Sequence, residues 1–188
     1  IIMGVGRLIK WKGFEYLVKA FPYVLNKFPE AKLIIIGKGP EEENIKKLAL
    51  KLNLKIGKNI FFPEHFPTSK MPGIYAACDI VVSPSITNSQ TGEKEGQGNV
   101  VLEARASGVP IVASRSGGLI DTIDGVSTGL LFEERDYKEL SEKIIYLLSS
   151  KAVWKKFSGN GLKLVRERYS WKITARSFGQ LYDKVIQD

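Results

Sequence analysis

The sequence is poor in disulfide-forming and metal-binding residues and has no long apolar run. It contains one cysteine, Cys78, which excludes an internal disulfide framework and any metal site made of several cysteines. The single histidine, His65, argues against a histidine-based metal centre, and no Asp-x-Asp motif is present to hold a divalent ion. No apolar run approaches the length of a membrane span. Cys78 stands in the apolar stretch YAACDIVV, so we expect it to be buried in a protein of the reducing cytoplasm.

The remaining composition is that of an ordinary globular domain. The chain has 188 residues, of which 44% are hydrophobic and 26% are charged. This length predicts a single domain, residues 1–188, with a substantial core. The chain begins with IIMGVG, already inside an apparent strand, so we expect it to be a fragment of a longer protein.

The net charge of +8 predicts an anionic partner. Nucleic acid, a nucleotide or phosphorylated substrate, and an acidic lipid surface all remain candidates. Many of the lysines recur at helical spacing, which is typical of a solvated helix face rather than of a binding site.

Apolar runs and helical patterns alternate along the chain. The runs have no in-and-out alternation, which indicates a parallel sheet covered by helices on both faces, an α/β Rossmann-like fold. Ligands bind such sheets at the carboxyl ends of the strands. Predicted strands cover residues 1–5, 31–37, 59–63, 79–85, 110–114 and 129–132, and predicted helices cover 12–28, 41–52, 69–78, 98–107, 136–149, 152–169 and 171–186. The segments that would gather at the ligand-binding edge are Gly6-Arg7, Gly37-Lys38-Gly39, Ser83-Pro84-Ser85 and 114–118.

The stretch EGQGNVVLEARASGVPIVAS, residues 95–114, has the features of a site for a sugar nucleotide. Gly96 and Gly98 leave backbone N–H groups open at a helix start, which suits phosphate. Glu95 lies before the helix, where a sugar could meet it. Glu103 lies more than one turn inside, where its carboxylate could accept hydrogen bonds from ribose hydroxyls.

Two acids at this spacing also arise by chance as ordinary surface or capping carboxylates, and the spacing alone favours that interpretation. The strand-to-helix turn GVGRLIKWKG adds Arg7 and Lys12 to the same edge. Arg7 could hold two phosphate oxygens and Lys12 could supply a further positive charge, so together they could neutralise a diphosphate without a metal ion.

Four segments together resemble the donor-binding, C-terminal half of a retaining glycosyltransferase of family 4. They are VGRL…KG…LVKAF, LIIIGKGP, MPGIYAACDIVVSPS and EGQGNVVLEARASGVPIVAS…GG, and they cover nearly the whole chain in order. The resemblance implies the GT-B fold, in which two Rossmann-like domains face each other across a cleft. It also implies a hexosyl-type transferase that uses a UDP-, GDP- or ADP-sugar with retention at the anomeric carbon, and needs no metal or other cofactor.

The resemblance assigns roles to nine residues. Arg7 and Lys12 would hold the diphosphate and, with Glu95, would form the catalytic group. Glu95 and Glu103 would be the two acids of the E-x7-E motif. The residues that would contact sugar and phosphates are Gly96, Gln97, Gly98, Asn99 and Val100.

The resemblance also predicts the partners. The N-terminal domain of the same enzyme would complete the cleft, and the helix at about 171–188 would pack on it. The acceptor is left unidentified, and this fragment alone would be inactive. The expected location is cytoplasmic, with peripheral membrane association as a further option.

Three other interpretations remain. A GT-B sugar-nucleotide epimerase would use the same donor site, and a nucleotide-binding module would bind without catalysis. The third, a nucleic-acid-binding domain, is prompted by the charge. The large aromatic residues are scattered through apolar runs rather than interleaved with Arg and Lys, so no specific nucleic-acid site is indicated. They include Trp11, Phe61, Phe62 and Trp154.

Overall fold

A computed structural model describes residues 1–187 as one six-stranded parallel sheet with helices on both faces. The strands are β1 (Ile2–Val5), β2 (Leu33–Ile36), β3 (Ile60–Phe61), β4 (Ile80–Ser83), β5 (Ile111–Ser114) and β6 (Leu130–Phe132). Their order across the sheet is β3-β2-β1-β4-β5-β6, and every neighbouring pair runs parallel. The predicted α/β Rossmann-like class is confirmed.

The helices alternate with the strands, as predicted. They are α1 (Phe14–Lys27), α2 (Glu42–Lys51), α3 (Met71–Ala76), α4 (Asn99–Ala106), α5 (Leu119–Thr122), α6 (Tyr137–Ser149), α7 (Lys151–Arg168) and α8 (Trp171–Gln187). Pro22 lies inside α1, which nevertheless continues unbroken to Lys27. The short helix α5 was not predicted, because four residues give no helical periodicity.

Both faces of the sheet are buried because successive strand residues point to opposite sides. Ile2 belongs to the core that α1, α2 and α6 cover, whereas Met3 belongs to the core under α3, α4 and α5. Burial of apolar area on both sides explains why the strands are continuous apolar runs. Cys78 is buried in the second core, where burial raises the pKa of its thiol to about 11, so it is an unreactive thiol at neutral pH.

The end of the chain differs from the rest. Helix α7 packs on α4, whereas α8 exposes a row of large apolar side chains, among them Trp171 at 89% exposure. Others in the row are Phe178, Leu181, Tyr182, Val185 and Ile186. The predicted helix at 171–188 is therefore present from Trp171 to Gln187, and Asp188 lies outside the described residues. Its docking on another domain stays a prediction. Of the helices in residues 1–187, none combines the length and apolar character needed to cross a membrane.

The sheet order places a crevice at the carboxyl ends of β1 and β4. The chain runs from β1 outward to β2 and β3 on one side, then returns to β4, β5 and β6 on the other. The segments that follow β1 and β4 therefore diverge, and a ligand crevice forms between them.

Candidate functional site

Two neighbouring pockets occupy this crevice, and each contains one acid of the 95–103 stretch. The Glu95 pocket has a volume of about 240 Å³, and the Glu103 pocket has a volume of about 470 Å³. Val5, the last residue of β1, lines both, so the two are adjacent.

Eight of the nine predicted site residues divide between the pockets. The Glu95 pocket is lined by Lys12, Glu95, Gln97, Gly98, Asn99 and Val100. The Glu103 pocket is lined by Arg7 and Glu103, together with His65. Gly96 lines neither, and its backbone oxygen faces the Gly117-Gly118 turn instead.

Glu95 is held by two donors on one oxygen. Its Oε2 accepts a hydrogen bond from Lys12 Nζ at 2.6 Å and another from Ser85 Oγ at 2.8 Å. The carboxylate is only 10% exposed, so the ammonium of Lys12 neutralises a largely desolvated charge. Within residues 1–187, Oε1 has no hydrogen-bond partner, which leaves this oxygen for a ligand.

The backbone at Glu95 is fixed as well. The N–H of Gly118 donates to the carbonyl oxygen of Glu95 at 3.0 Å. A side chain at Gly117 would clash with that same carbonyl, and one at Gly118 would clash with the carbonyl of Gly96. The two glycines let the turn after β5 approach this closely, so Glu95 has a defined position before any ligand binds.

Helix α4 begins in the Glu95 pocket with an uncapped end. Gly98 precedes it at φ 72°, a left-handed conformation that favours glycine. A Cβ there would lie 2.6 Å from the side chain of Leu119, so the helix start also packs tightly. No side chain caps the helix, and its first N–H groups form an anion-binding feature.

The cation of the Glu95 pocket is positioned by its own loop. Lys12 is the last residue of a short 3₁₀ turn, Lys10–Lys12, and its Nζ lies 4.6 Å from the centre of the Trp11 ring. The carbonyl of Trp11 accepts a hydrogen bond from Ile86 N at 2.7 Å, which joins the segments that follow β1 and β4.

Glu103 has a different environment. Its Oε2 accepts a hydrogen bond from the hydroxyl of Tyr75 at 2.8 Å, whereas the residue itself is exposed. Tyr75 is 1% exposed, and burial together with the nearby carboxylate raises its pKa, so the phenol stays protonated and donates. Within the described chain no cation pairs with Glu103, and Arg7 lines the same pocket with no acid of its own.

A buried arginine holds α4 in place. Arg105 is 1% exposed and donates to the carbonyls of Thr122 and Thr128, at 2.6 Å from Nη1 and 2.7 Å from Nη2 respectively. Burial lowers the pKa of its guanidinium to about 10, which still leaves it charged at neutral pH. Arg105 therefore ties the helix that carries Glu103 to the segment between α5 and β6.

Sequence reasoning missed two residues that touch the acids, Ser85 and Tyr75. Ser85 had been placed at the ligand-binding edge without a role, so its position after β4 was the available signal. Tyr75 gave no signal, because a tyrosine in a short apolar helix is typical of core packing. Among residues 1–187 no group of three or more His, Cys, Asp or Glu side chains could hold a metal ion.

Comparison with known proteins identifies the class. The family described as "Glycosyl transferases group 1" matches residues 1–164, and the chain belongs to this family. Its structural neighbours are GT-B glycosyltransferase domains, which agrees with the predicted C-terminal half of that fold. The matches do not favour the epimerase interpretation.

The chain is similar to several particular proteins. It is 35% identical over 167 residues to a GDP-mannose-dependent monoacylated alpha-(1-6)-phosphatidylinositol monomannoside mannosyltransferase of Corynebacterium glutamicum, with 89% of this chain and 42% of that protein covered. The crystal structure of the C-terminal domain of a glycosyl transferase group 1 family protein, LpcC of Francisella tularensis, has a TM-score of 0.78 at 29% identity and covers 90% of this chain and 86% of that one. A Staphylococcus aureus TarM variant, in complex with fondaparinux, alpha-GlcNAc-glycerol and UDP, has a TM-score of 0.81 at 25% identity and covers 96% of this chain and 35% of that one.

The chain spans less than half the length of the curated relatives that it matches. The activities of those whole proteins therefore also depend on residues that have no counterpart in this chain.

Proposed function

We propose that this chain is the donor-binding domain of a retaining family 4 glycosyltransferase, which binds a nucleotide sugar and transfers its sugar to an acceptor. The observation that carries the proposal is a pair of adjacent pockets, one with Glu95 and the uncapped start of α4, the other with Glu103 and Arg7. One ligand class has hydroxyls, then a diphosphate, then hydroxyls in that order, and it is a sugar joined to a nucleoside through a diphosphate.

Each end of the ligand has an acceptor in the site. The free Oε1 of Glu95 takes a hydroxyl of the sugar, and the exposed carboxylate of Glu103 takes the ribose hydroxyls. Lys12, Arg7 and the N–H groups at the start of α4 hold the diphosphate. An ammonium has three N–H donors, so Lys12 can keep Glu95 and still donate to a phosphate oxygen.

The chemistry follows from the leaving group. Departure of a nucleoside diphosphate develops negative charge, which fixed cations and helix N–H groups stabilise more in the transition state than in the ground state. Each such contact lowers the activation barrier by on the order of 2–4 kcal/mol.

Glu95 acts by positioning the sugar rather than as a covalent nucleophile. Its Oε2 already accepts hydrogen bonds from Lys12 and Ser85, and a carboxylate held by an ammonium is a weaker nucleophile. Attack and departure on the same face of the sugar then give retention without an enzyme nucleophile.

The relatives support a sugar nucleotide but not one base. The mannosyltransferase is named for GDP-mannose, and the TarM variant was solved with UDP. The donor is therefore a UDP-, GDP- or ADP-hexose, bound without a metal ion because Arg7, Lys12 and the helix start supply the positive field.

The other half of the enzyme supplies the acceptor site. An N-terminal domain forms the second wall of the cleft and covers the exposed face of α8. This chain alone binds donor and transfers nothing. The name of the mannosyltransferase includes a phosphatidylinositol monomannoside, a lipid, which supports peripheral membrane association of a cytoplasmic enzyme.

A ligand panel tests the proposal. Thermal unfolding of this chain is measured with UDP, GDP and ADP, with their glucose or mannose conjugates, and with inorganic phosphate as control, each with and without EDTA. A ligand at a hundred times its Kd adds about 2.7 kcal/mol of stability. Stabilisation by no nucleotide contradicts the donor site, a strict need for Mg²⁺ or Mn²⁺ contradicts metal-free binding, and transfer by this chain alone contradicts its inactivity.

A further inference from the structure

Ser85 is a buried serine whose hydroxyl touches a site acid. It follows β4 and is 1% exposed, and its Oγ donates to Glu95 Oε2 at 2.8 Å. The Ser85 hydroxyl therefore has one partner and little room, unlike a surface serine that turns freely.

The sheet itself fixes the position of Ser85. The hydroxyl of Ser114, the last residue of β5, donates to the carbonyl of Ser85. The next residue, Ile86, donates its N–H to the loop that carries Lys12. Both attachments involve strand ends or backbone atoms, which are rigid. The hydroxyl of Ser85 therefore has a fixed position from which it donates to Glu95.

Lys12 cannot perform this task alone. Lysine is a flexible chain with a point charge at its end, so an ion pair with Lys12 leaves the carboxylate free to rotate between its two oxygens. The hydroxyl of Ser85 on Oε2 removes that freedom, and Oε1 is then the oxygen that faces a ligand.

We propose that Ser85 is a positioning residue that acts through Glu95, and that it sets how strongly this domain distinguishes a sugar nucleotide from the bare nucleoside diphosphate. The inference rests on the proposed donor site. Ser85 orients the carboxylate of Glu95, which contacts the transferred sugar in this proposal. The proposed contacts to the diphosphate and the ribose are made by other residues.

The test compares three variants by titration calorimetry with GDP, GDP-mannose, UDP and UDP-glucose. Ser85→Ala removes the hydroxyl, Ser85→Thr keeps it, and Ser141→Ala is the matched control. Ser141 is 4% exposed on α6, lines neither pocket, and donates its hydroxyl to the carbonyl of Lys138 at 2.7 Å.

For the sugar nucleotide that the unaltered chain binds, Ser85→Ala lowers affinity about fivefold to tenfold, as expected when Glu95 loses the alignment of one ordinary hydrogen bond to the sugar. Affinity for the matching nucleoside diphosphate changes less than twofold. Ser85→Thr keeps the sugar preference, and Ser141→Ala leaves it unchanged.

Other results overturn the inference. If Ser85→Ala binds both ligands as Ser141→Ala does, the hydroxyl of Ser85 does not direct Glu95. Equal loss of both affinities shows that Ser85 only supports the fold. If Ser85→Ala does not fold, Ser85→Cys, with a weak donor of similar shape, replaces it under the same criteria. Failure of the proposed function is a separate result, because the unaltered chain would then bind none of the four ligands.

Discussion

The two ends of the crevice hold their acids in different ways. Glu95 is nearly buried, is paired with Lys12 and bonded by Ser85, and has its backbone clamped by Gly118. Glu103 is exposed on a regular helix and has one neutral partner, Tyr75. One acid is compensated by charge and fixed on several sides, whereas the other is only oriented.

This difference indicates how far the carboxylate at each end can change its position. A desolvated carboxylate beside an ammonium has few alternative arrangements, so the Glu95 end suits the reacting sugar, where small displacements cost much rate. An exposed carboxylate can relax with water, so the Glu103 end suits a contact that serves affinity. Substitutions at the Glu95 end should therefore have larger and more selective effects.

Loss of Lys12 should have the largest effect. Lys12→Ala removes one of the two cations that we propose for the diphosphate and leaves the carboxylate of Glu95 poorly compensated. In the complete enzyme we expect kcat/KM to fall on the order of 100-fold, measured by steady-state transfer to acceptor. Lys10→Ala, on the same loop but exposed, serves as the control. Equal kinetics of the two variants would contradict the assignment.

Neutralising the acids should separate the ends. Glu103→Gln should weaken the nucleoside diphosphate and the sugar nucleotide alike, by about tenfold, because ribose is common to both. Glu95→Gln should bind the nucleoside diphosphate at least as well as the unaltered chain, because Lys12 is then free for phosphate. It should lose about tenfold on the sugar nucleotide alone.

Titration calorimetry of both acid variants with both ligands distinguishes these patterns. If Glu95→Gln loses the bare nucleotide while Glu103→Gln keeps it, the ligand lies along the crevice in the opposite direction. If neither variant changes binding, both acids are ordinary structural carboxylates.

Tyr75→Phe should have a smaller effect at the Glu103 end. It removes one hydrogen bond to an exposed carboxylate, so affinity for the nucleoside diphosphate should fall about threefold and stability by about 1 kcal/mol. The additional affinity due to the sugar should stay the same. Tyr23→Phe, on the exposed side of α1, controls for loss of a hydroxyl. If Tyr75→Phe instead lost affinity only for the sugar nucleotide, the two ends of the crevice would not be independent as we describe them.

Acid should weaken the contact that holds the loop before Glu95. Glu134 accepts hydrogen bonds from Thr87, at the base of the loop that leads to Glu95. Burial raises the pKa of Glu134, but the bonds from the N–H and hydroxyl of Thr87, with further effects of Ser116 and the Arg135 charge, outweigh it, and the net pKa lies below its ordinary 4.5.

Because the folded pKa is depressed, this stability is present above pH 4.5 and is lost as the pH falls through the folded pKa. Glu134→Gln should cost about 1 kcal/mol at neutral pH and should flatten the loss of Tm below pH 4.5. The measurement is thermal unfolding of the unaltered chain and of Glu134→Gln between about pH 3 and 7. Parallel Tm profiles would show that the Thr87 contact does not stabilise the charged form.

The fold was predictable because its signals are local. Continuous apolar runs such as residues 33–36 and 80–83 indicate buried parallel strands, and amphipathic patterns indicate the helices that cover them. The exception, α5, is held by its packing against the start of α4 rather than by its own pattern.

The site was predictable in outline only. The rule for parallel sheets brought Arg7, Lys12 and the 95–103 stretch to one edge, and their roles stay predictions. The pairing of Lys12 with Glu95 was not foreseen, because the residues are 83 positions apart and meet only through the adjacency of β1 and β4. A long-range contact of this kind has no signature in either local pattern.

The pairing of Lys12 with Glu95 also affects the rate of ligand capture. A lysine already matched to an acid adds little to the field at a distance, so an approaching dianion is not drawn in by Lys12 until the two are in contact. The excess positive charge lies elsewhere, since residues 151–187 contain nine Lys and Arg against two acidic residues. The ionic-strength dependence of the association rate constant should therefore reflect α7, α8 and Arg7, which has no acidic partner among residues 1–187, more than Lys12.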